Sequence, residues 1–97
     1  MSQEAMEWGR AQRTGDYRAK AVLMYLCNRH HPDFGCNPSL DIIAAYCEIT
    51  RRNARTQIER LVKQGLIRVE KSPLTGHGQP LPRFRFAFEP GFAEVGA

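Results

Sequence analysis

The chain has 97 residues, 42% of them hydrophobic, and a formal net charge of +4. That length suits one domain with a single core and leaves no room for a second domain of ordinary size. The longest apolar stretch, Ala21–Cys27, is much shorter than the roughly 18 residues that a membrane-spanning helix needs, and the acidic start does not resemble a secretory signal. We therefore expect a single-domain cytoplasmic protein.

The positive charge is concentrated in one part of the chain. Between Arg51 and Arg85 there are nine basic side chains and only two acidic ones, so this stretch carries +7 and the remainder −3. A local excess of arginine and lysine is typical of a surface that binds an acidic partner, whereas the total charge alone decides little.

Two helices are predicted in the first third of the chain. Ser2 can open a short helix over residues 2–12, with Met6 and Trp8 as its apolar side chains. Asp16 is a good N-cap for a second, amphipathic helix that ends before the proline and glycine of residues 31–35. Its apolar stripe comprises Ala19, Val22, Leu23, Leu26 and Cys27.

A tight pair of helices is predicted next. Ser39 is the N-cap of a helix that ends near Tyr46, and Thr50 is the N-cap of a helix from Arg51 to Gln64. Only three or four residues separate them, which is the helix-turn-helix pattern. The expected core positions are Leu40, Ile43 and Ala44 on the first helix, and Ala54, Ile58, Leu61 and Val62 on the second.

After Gly65 the apolar period changes from 3.6 to 2, which predicts two strands. Residues 72–82 contain three prolines and two glycines, so we expect a long loop between the strands. The predicted fold is mainly α with a small β-hairpin, a winged helix-turn-helix of three main helices and a two-stranded wing. Residues 1–15 form an N-terminal extension, 16–88 the domain and 89–97 a flexible tail.

The second helix of the pair carries a basic face opposite its apolar stripe. Arginine can donate two hydrogen bonds to guanine, and asparagine can pair with adenine, in the major groove of DNA. Residues near the start of such a helix reach deepest, so we expect Arg52, Asn53 and Thr56 to contact base edges. Arg60 and Lys63 lie further along and are expected on phosphates. No acid is expected at the centre of this face.

Other side chains are candidates for contacts with the DNA backbone. Arg51 and Arg55 lie near the edge of the apolar stripe, where they either reach phosphates or pack against the first helix. The caps Ser39 and Thr50 stand at helix starts, which attract phosphate. The candidate contacts of the wing are Lys71, His77, Arg83 and Arg85. For the two arginines the alternative is that they are exposed to solvent and contact nothing. Alternatively, the whole basic face is an ordinary solvent-exposed surface.

Catalysis, metal binding and cofactor binding are not expected. Cys27, His30, His31 and Cys36 are the right residue types for zinc, but their spacing is poor and no paired cysteine motif anchors them. With Cys47 the cysteines are an odd number, which argues against a disulfide framework. No phosphate-binding loop, carboxylate pair or activated nucleophile is recognisable.

The segment Gly35–Lys71 resembles the winged helix-turn-helix domain of small actinobacterial, phage and plasmid proteins and of replication initiators, and more distantly that of GntR-type repressors. With Trp8 and the helix from Asp16, the likeness covers about residues 8–88. The matching residues are Pro38-Ser39, Ile43-Ala44, Thr50, Arg52, Leu61 and Gly65-Leu66-Ile67, while Asn37, Asn53, Ala54 and Thr56 depart from the usual pattern.

The resemblance implies a sequence-specific double-stranded DNA-binding protein, a transcriptional regulator or repressor. A homodimer on a pseudo-palindrome is expected, because doubling the contacts of a small module raises specificity; the region of Trp8 or the tail at Phe92 is expected to supply the dimer contact. The alternatives are an origin-binding module of a plasmid or phage replication system and a winged helix that binds a protein partner.

Overall fold

The computed structural model describes residues 2–31, 35–76, 78–90 and 92, with the backbone alone for 72–76, 79 and 80. In these residues, four helices precede one antiparallel hairpin. They are α1 (Gln3–Ala11), α2 (Tyr17–Asn28), α3 (Leu40–Cys47), α4 (Arg51–Lys63), β1 (Ile67–Gly76) and β2 (Gln79–Phe86). The predicted fold class is confirmed, and α1 precedes the three main helices. None of the helices described is both long and apolar enough to cross a bilayer.

Helix α1 packs into the same core as the rest of the domain. Ser2 caps it by accepting a hydrogen bond from the Ala5 amide, and Ala5 is fully buried. At Gly9 a Cβ atom would come within 2.7 Å of Cys27 Sγ, so glycine allows α1 to approach α2 closely. Part of the segment that the sequence indicated as an extension therefore contributes to the core.

Local capping determines where the other helices begin. Asp16 accepts hydrogen bonds from the first-turn amides of α2, Ser39 from those of α3 and Thr50 from those of α4. Helix α3 ends at Cys47, and its C-cap Glu48 adopts a left-handed conformation with φ of 56°. These caps confirm the predicted helix starts and place α3 and α4 as a helix-turn-helix pair.

The core lies where α2, α3, α4 and one face of the hairpin meet. Phe84 and Phe86 on β2 point into it, as their alternation predicted. At the edge of this core Trp8 packs edge-to-face on Phe86 and tilted on Phe88. The main buried side chains are Val22, Leu23, Leu26, Ile43, Ala54, Leu61 and Ile67.

The hairpin is longer than the sequence indicated. Pairing extends to Gly76 opposite Gln79, with a register irregularity between Lys71 and Thr75. The prediction of a loop over residues 72–82 is therefore wrong, because most of this segment is strand. Each strand of a two-stranded ribbon is an edge whose alternate N–H groups face away from its partner, so the ribbon tolerates proline.

Candidate nucleic-acid interface

The core-facing stripe of α4 contains Ala54, Ile58 and Leu61 as predicted, but it differs from the prediction at two positions. Gln57 is only 1% exposed, whereas Val62, which the prediction placed in the core, is 41% exposed. The sequence pattern missed Gln57 because a polar residue is normally assigned to solvent. Its amide nitrogen makes a hydrogen bond to Asn53, four residues earlier, which satisfies one end of the buried amide.

The positions that are buried on α4 define the opposite, outward face of the helix. The residues on that face are Arg52, Arg55, Thr56, Glu59 and Lys63, all exposed. The expectation that no acid lies at the centre of the face is wrong, since Glu59 shares a surface depression with Thr56, Arg60 and Lys63. The sequence indicated the basic residues of this face, whereas its acid became apparent only once the buried stripe was known.

The cations at the start of α4 differ in how they are engaged. The Nε of Arg51 lies 3.5 Å from Asp41 Oδ1 on α3, and both side chains are mostly exposed. Arg52 and Arg55 take part in none of the ion pairs found among the described residues, and they border one recess together with Arg51. An incoming phosphate or base edge therefore meets Arg52 and Arg55 without having to displace an acid.

The two polar residues predicted to contact bases are each held by a neighbouring turn. Thr56 donates its hydroxyl hydrogen to the Arg52 carbonyl oxygen at 3.1 Å, which leaves the oxygen lone pairs and the methyl group available. Asn53 is half-buried, and its Oδ1 accepts a hydrogen bond from Gln57 Nε2 at 2.7 Å. Asn53 thus lies at the flank of the outward face rather than at its centre.

Arg60 is held by the N-terminus of α2. Its Nη1 lies 3.2 Å from Oδ2 of Asp16, the N-cap of that helix, and Arg18 contacts the same oxygen at 3.2 Å. Hydrogen bonds from Arg18 lower the pKa of Asp16 to about 2, so this carboxylate is charged at neutral pH. The Arg60 guanidinium is therefore partly neutralised by Asp16, and any phosphate must compete with that carboxylate.

The two helix starts of the pair differ in charge. The Thr50 Oγ1 accepts from the Asn53 amide at 3.0 Å, and the Ser39 Oγ accepts from the Ile42 amide at 3.2 Å. Helix α3 has Asp41 in its first turn, whereas α4 has no acid there. A phosphate is therefore favoured at the start of α4 more than at the start of α3.

The wing cations are not equivalent. Lys71 is exposed, whereas Arg83 and Arg85 are half-buried, so the alternative of plain solvent residues is wrong for both arginines. The Arg85 Nε lies 3.1 Å from Glu89 Oε2, and the Arg83 guanidinium packs against Gly35. These contacts arise because the chain before α3 and the residues after β2 cover this face. His77, a predicted wing contact, lies outside the described residues.

Three of the four residues considered for zinc, Cys27, His30 and Cys36, are buried packing residues. Burial raises the pKa of the Cys27 thiol to about 12 and that of Cys36 further still, and the Cys36 thiol donates to the Leu26 carbonyl oxygen. Metal ligation needs a thiolate, which this desolvation opposes. His30 is buried and packs edge-on against Phe86 and Phe88. Within the described ranges no three potential ligands cluster.

Comparison with known protein families matches residues 18–67 to the helix-turn-helix domain. Members of this family are typically non-enzymatic, and the match suggests DNA binding. The match runs from the first turn of α2 to the first residue of β1 and covers more than half of the 97 residues. Comparison with curated proteins and with solved structures found no match. The chain belongs to the helix-turn-helix domain family.

Proposed function

We propose that this protein binds double-stranded DNA sequence-specifically and acts as a transcriptional regulator of a bacterium or its mobile elements. The observation that carries the proposal is the exposed basic start of α4. Arg52 and Arg55 stand on the second helix of a helix-turn-helix pair and are not in ion pairs with any described acid. The second helix of such a pair is the one that enters the major groove.

In this proposal the side chains of α4 divide into two roles. Arg52, Thr56 and Asn53 read base edges, because they lie nearest the helix start on the outward face or its flank. The remaining cations of α4 and the helix starts hold the backbone, which fixes register without reading sequence. These are Arg51, Arg55, Arg60, Lys63, Thr50 and Ser39.

The wing is proposed to make the second contact. The exposed Lys71 is its most available cation, whereas Arg85 is already paired with Glu89. Arg83, Arg85 and His77 remain proposed contacts, with Arg85 expected to contribute least. Residues 16–88 form the proposed DNA-binding unit, and α1 packs against it through contacts with α2.

We further propose that the protein acts as a cytoplasmic homodimer on a pseudo-palindromic operator and represses by occluding a promoter. The small size of the module supports this assembly, because doubling its contacts raises specificity. The region of Trp8 or the tail at Phe92 remains the proposed source of the dimer contact, although both side chains also pack within the chain, Trp8 on Phe86 and Phe88 and Phe92 on Arg68. Sedimentation of the protein with and without DNA tests the assembly.

The test of the proposed function is equilibrium binding to a random duplex and to the DNA upstream of the gene, across a salt series. The variant Arg52→Ala/Arg55→Ala is compared with Arg10→Ala/Arg13→Ala, which removes two exposed arginines from α1 and the loop after it. We expect log K to fall by about 0.9 per neutralised phosphate for each unit of log salt, and only the α4 variant to flatten this slope.

The outcomes separate the alternatives. Preference for the upstream DNA supports autoregulation, whereas preference for clustered repeats at an origin supports a replication role. If micromolar protein binds neither duplex, or if both double variants bind equally well, the proposed DNA interface is wrong and a protein partner becomes the better hypothesis.

A further inference from the structure

A hydrogen bond connects the buried side of α4 to the flank of its outward face, which is proposed to contact DNA bases. Gln57 is 1% exposed, and its Nε2 donates to Asn53 Oδ1 at 2.7 Å. The Gln57 Oε1 is buried and has no hydrogen-bond partner within the described part of the chain. A buried amide with one unsatisfied oxygen is costly, so this glutamine is not explained by packing alone.

The hydrogen bond fixes how Asn53 presents its amide. The Asn53 main-chain N–H is held by Thr50 Oγ1 at 3.0 Å, so the first turn of α4 is fixed in place. The side-chain oxygen is turned towards Gln57, on the buried side of the helix. Since the two branches of a planar amide diverge, the Nδ2 group is turned away from Gln57, and its hydrogens are the part of Asn53 left to meet a ligand.

The orientation of this amide bears on base recognition. The bidentate contact of asparagine with adenine needs the amide oxygen to accept from N6 while the amide nitrogen donates to N7. Guanine instead presents two acceptors, N7 and O6, in the major groove. An asparagine whose oxygen is already engaged is matched to the acceptors of guanine and poorly matched to adenine.

We propose that Gln57 is a positioning residue that makes Asn53 a hydrogen-bond donor to DNA, so that Asn53 selects guanine over adenine at the base pair it contacts. This inference rests on the proposed function, because it assumes that α4 enters the major groove. Gln57 itself touches no base, and it acts only through the orientation of the Asn53 amide.

The test is site selection from random duplexes with the full chain, followed by affinity measurements on the selected site. Asn53→Ala identifies the base pair that Asn53 contacts as the one whose preference disappears. At that base pair we expect the wild type to favour guanine over adenine by about fivefold or more. Gln57→Leu allows the Asn53 amide to rotate, and we expect it to abolish this preference there and nowhere else in the site.

Two controls keep a structural effect apart from a positioning effect. Leucine is close to glutamine in size and removes the unpartnered buried oxygen, so Gln57→Leu is expected to unfold at the wild-type temperature or higher. Gln64→Leu, at the C-cap that follows α4, replaces an exposed glutamine whose Nε2 donates to the Thr14 carbonyl oxygen at 2.8 Å, and it is expected to leave the preference unchanged. Affinity of Gln57→Leu for non-specific DNA and its salt slope stay at wild-type values.

The failures of the two proposals are distinguishable. A wild-type preference for adenine at the Asn53 position, or a guanine preference that survives Gln57→Leu, overturns this inference while leaving DNA binding intact. A loss of preference at every position of the site assigns Gln57 a merely structural role and also overturns it. Absence of duplex binding by the wild type contradicts the proposed function itself, and this inference with it.

Discussion

Replacing Asp16 by asparagine is expected to strengthen DNA binding. Asp16 is the N-cap of α2 and the carboxylate that holds Arg60 at 3.2 Å. Asparagine caps helices as well as aspartate does, so Asp16→Asn removes the charge while keeping the helix start. Arg60 is then free to meet a phosphate. One additional phosphate contact steepens the slope of log K against log salt by about 0.9, which makes binding about eightfold tighter at about 0.1 M salt.

Fluorescence anisotropy of a labelled duplex across a salt series measures both quantities. The matched control is Glu7→Gln, which removes one negative charge from the exposed side of α1 and therefore raises the net charge equally. A steeper slope for Asp16→Asn alone supports the release of Arg60. If the two variants change the slope equally, the effect is one of net charge, and if neither changes it, Arg60 makes no phosphate contact and the reasoning is refuted.

Three further predictions concern stability. Lys20 donates to the carbonyl oxygens of Gly9, Arg10 and Gln12 at 2.6–3.0 Å. Lys20→Met is therefore expected to lower the free energy of unfolding, measured in urea, by about 2 kcal/mol. The control Lys71→Met is expected to show no comparable loss. Glu48→Gly relieves a left-handed φ of 56° and is expected to raise the free energy of unfolding by about 0.5–1 kcal/mol in the same assay. An unchanged urea midpoint contradicts the strain argument. Because the pKa of Asp16 is lowered from 3.8 to about 2, its contribution is present above pH 3.8 and lost as the pH falls towards 2. Acid titration followed by circular dichroism should therefore show a steeper loss in wild type than in Asp16→Asn, and parallel curves refute this.

The elements that depend on local chemistry were predictable from the sequence. Asp16, Ser39 and Thr50 mark helix starts because a short polar side chain satisfies amides two or three residues away, and the structure confirms all three. The alternation of Phe84 and Phe86 likewise predicted the buried face of β2. Such signals need no knowledge of distant residues.

The features that depend on tertiary neighbours were not predictable. Gln57 is buried and Val62 is exposed because the helices packed around α4 determine how it is rotated about its axis. The hydrophobic pattern alone predicts a slightly different rotation. Arg85 is half-buried because Glu89 and the chain before α3 cover a strand face that alternation assigns to solvent. The spacing of Asn53 and Gln57 is the one available signal for their hydrogen bond, since residues four apart meet on a helix.

The loop prediction failed for a different reason. The prolines and glycines of residues 72–82 predict a loop, yet pairing continues to Gly76 opposite Gln79. A ribbon of two edge strands tolerates residues that a central strand excludes. The wing is therefore paired along most of its length.

The most direct test of DNA binding through α4 is a nuclear magnetic resonance titration of the ¹⁵N-labelled protein with a duplex obtained by site selection. The structure predicts that the largest amide shift changes lie on α4 around Arg52, Arg55 and Thr56, with a second group at Lys71, while the exposed side of α1 stays unperturbed. Changes confined to α1 and residues 87–92, or no changes at a duplex concentration above that of the protein, contradict the account.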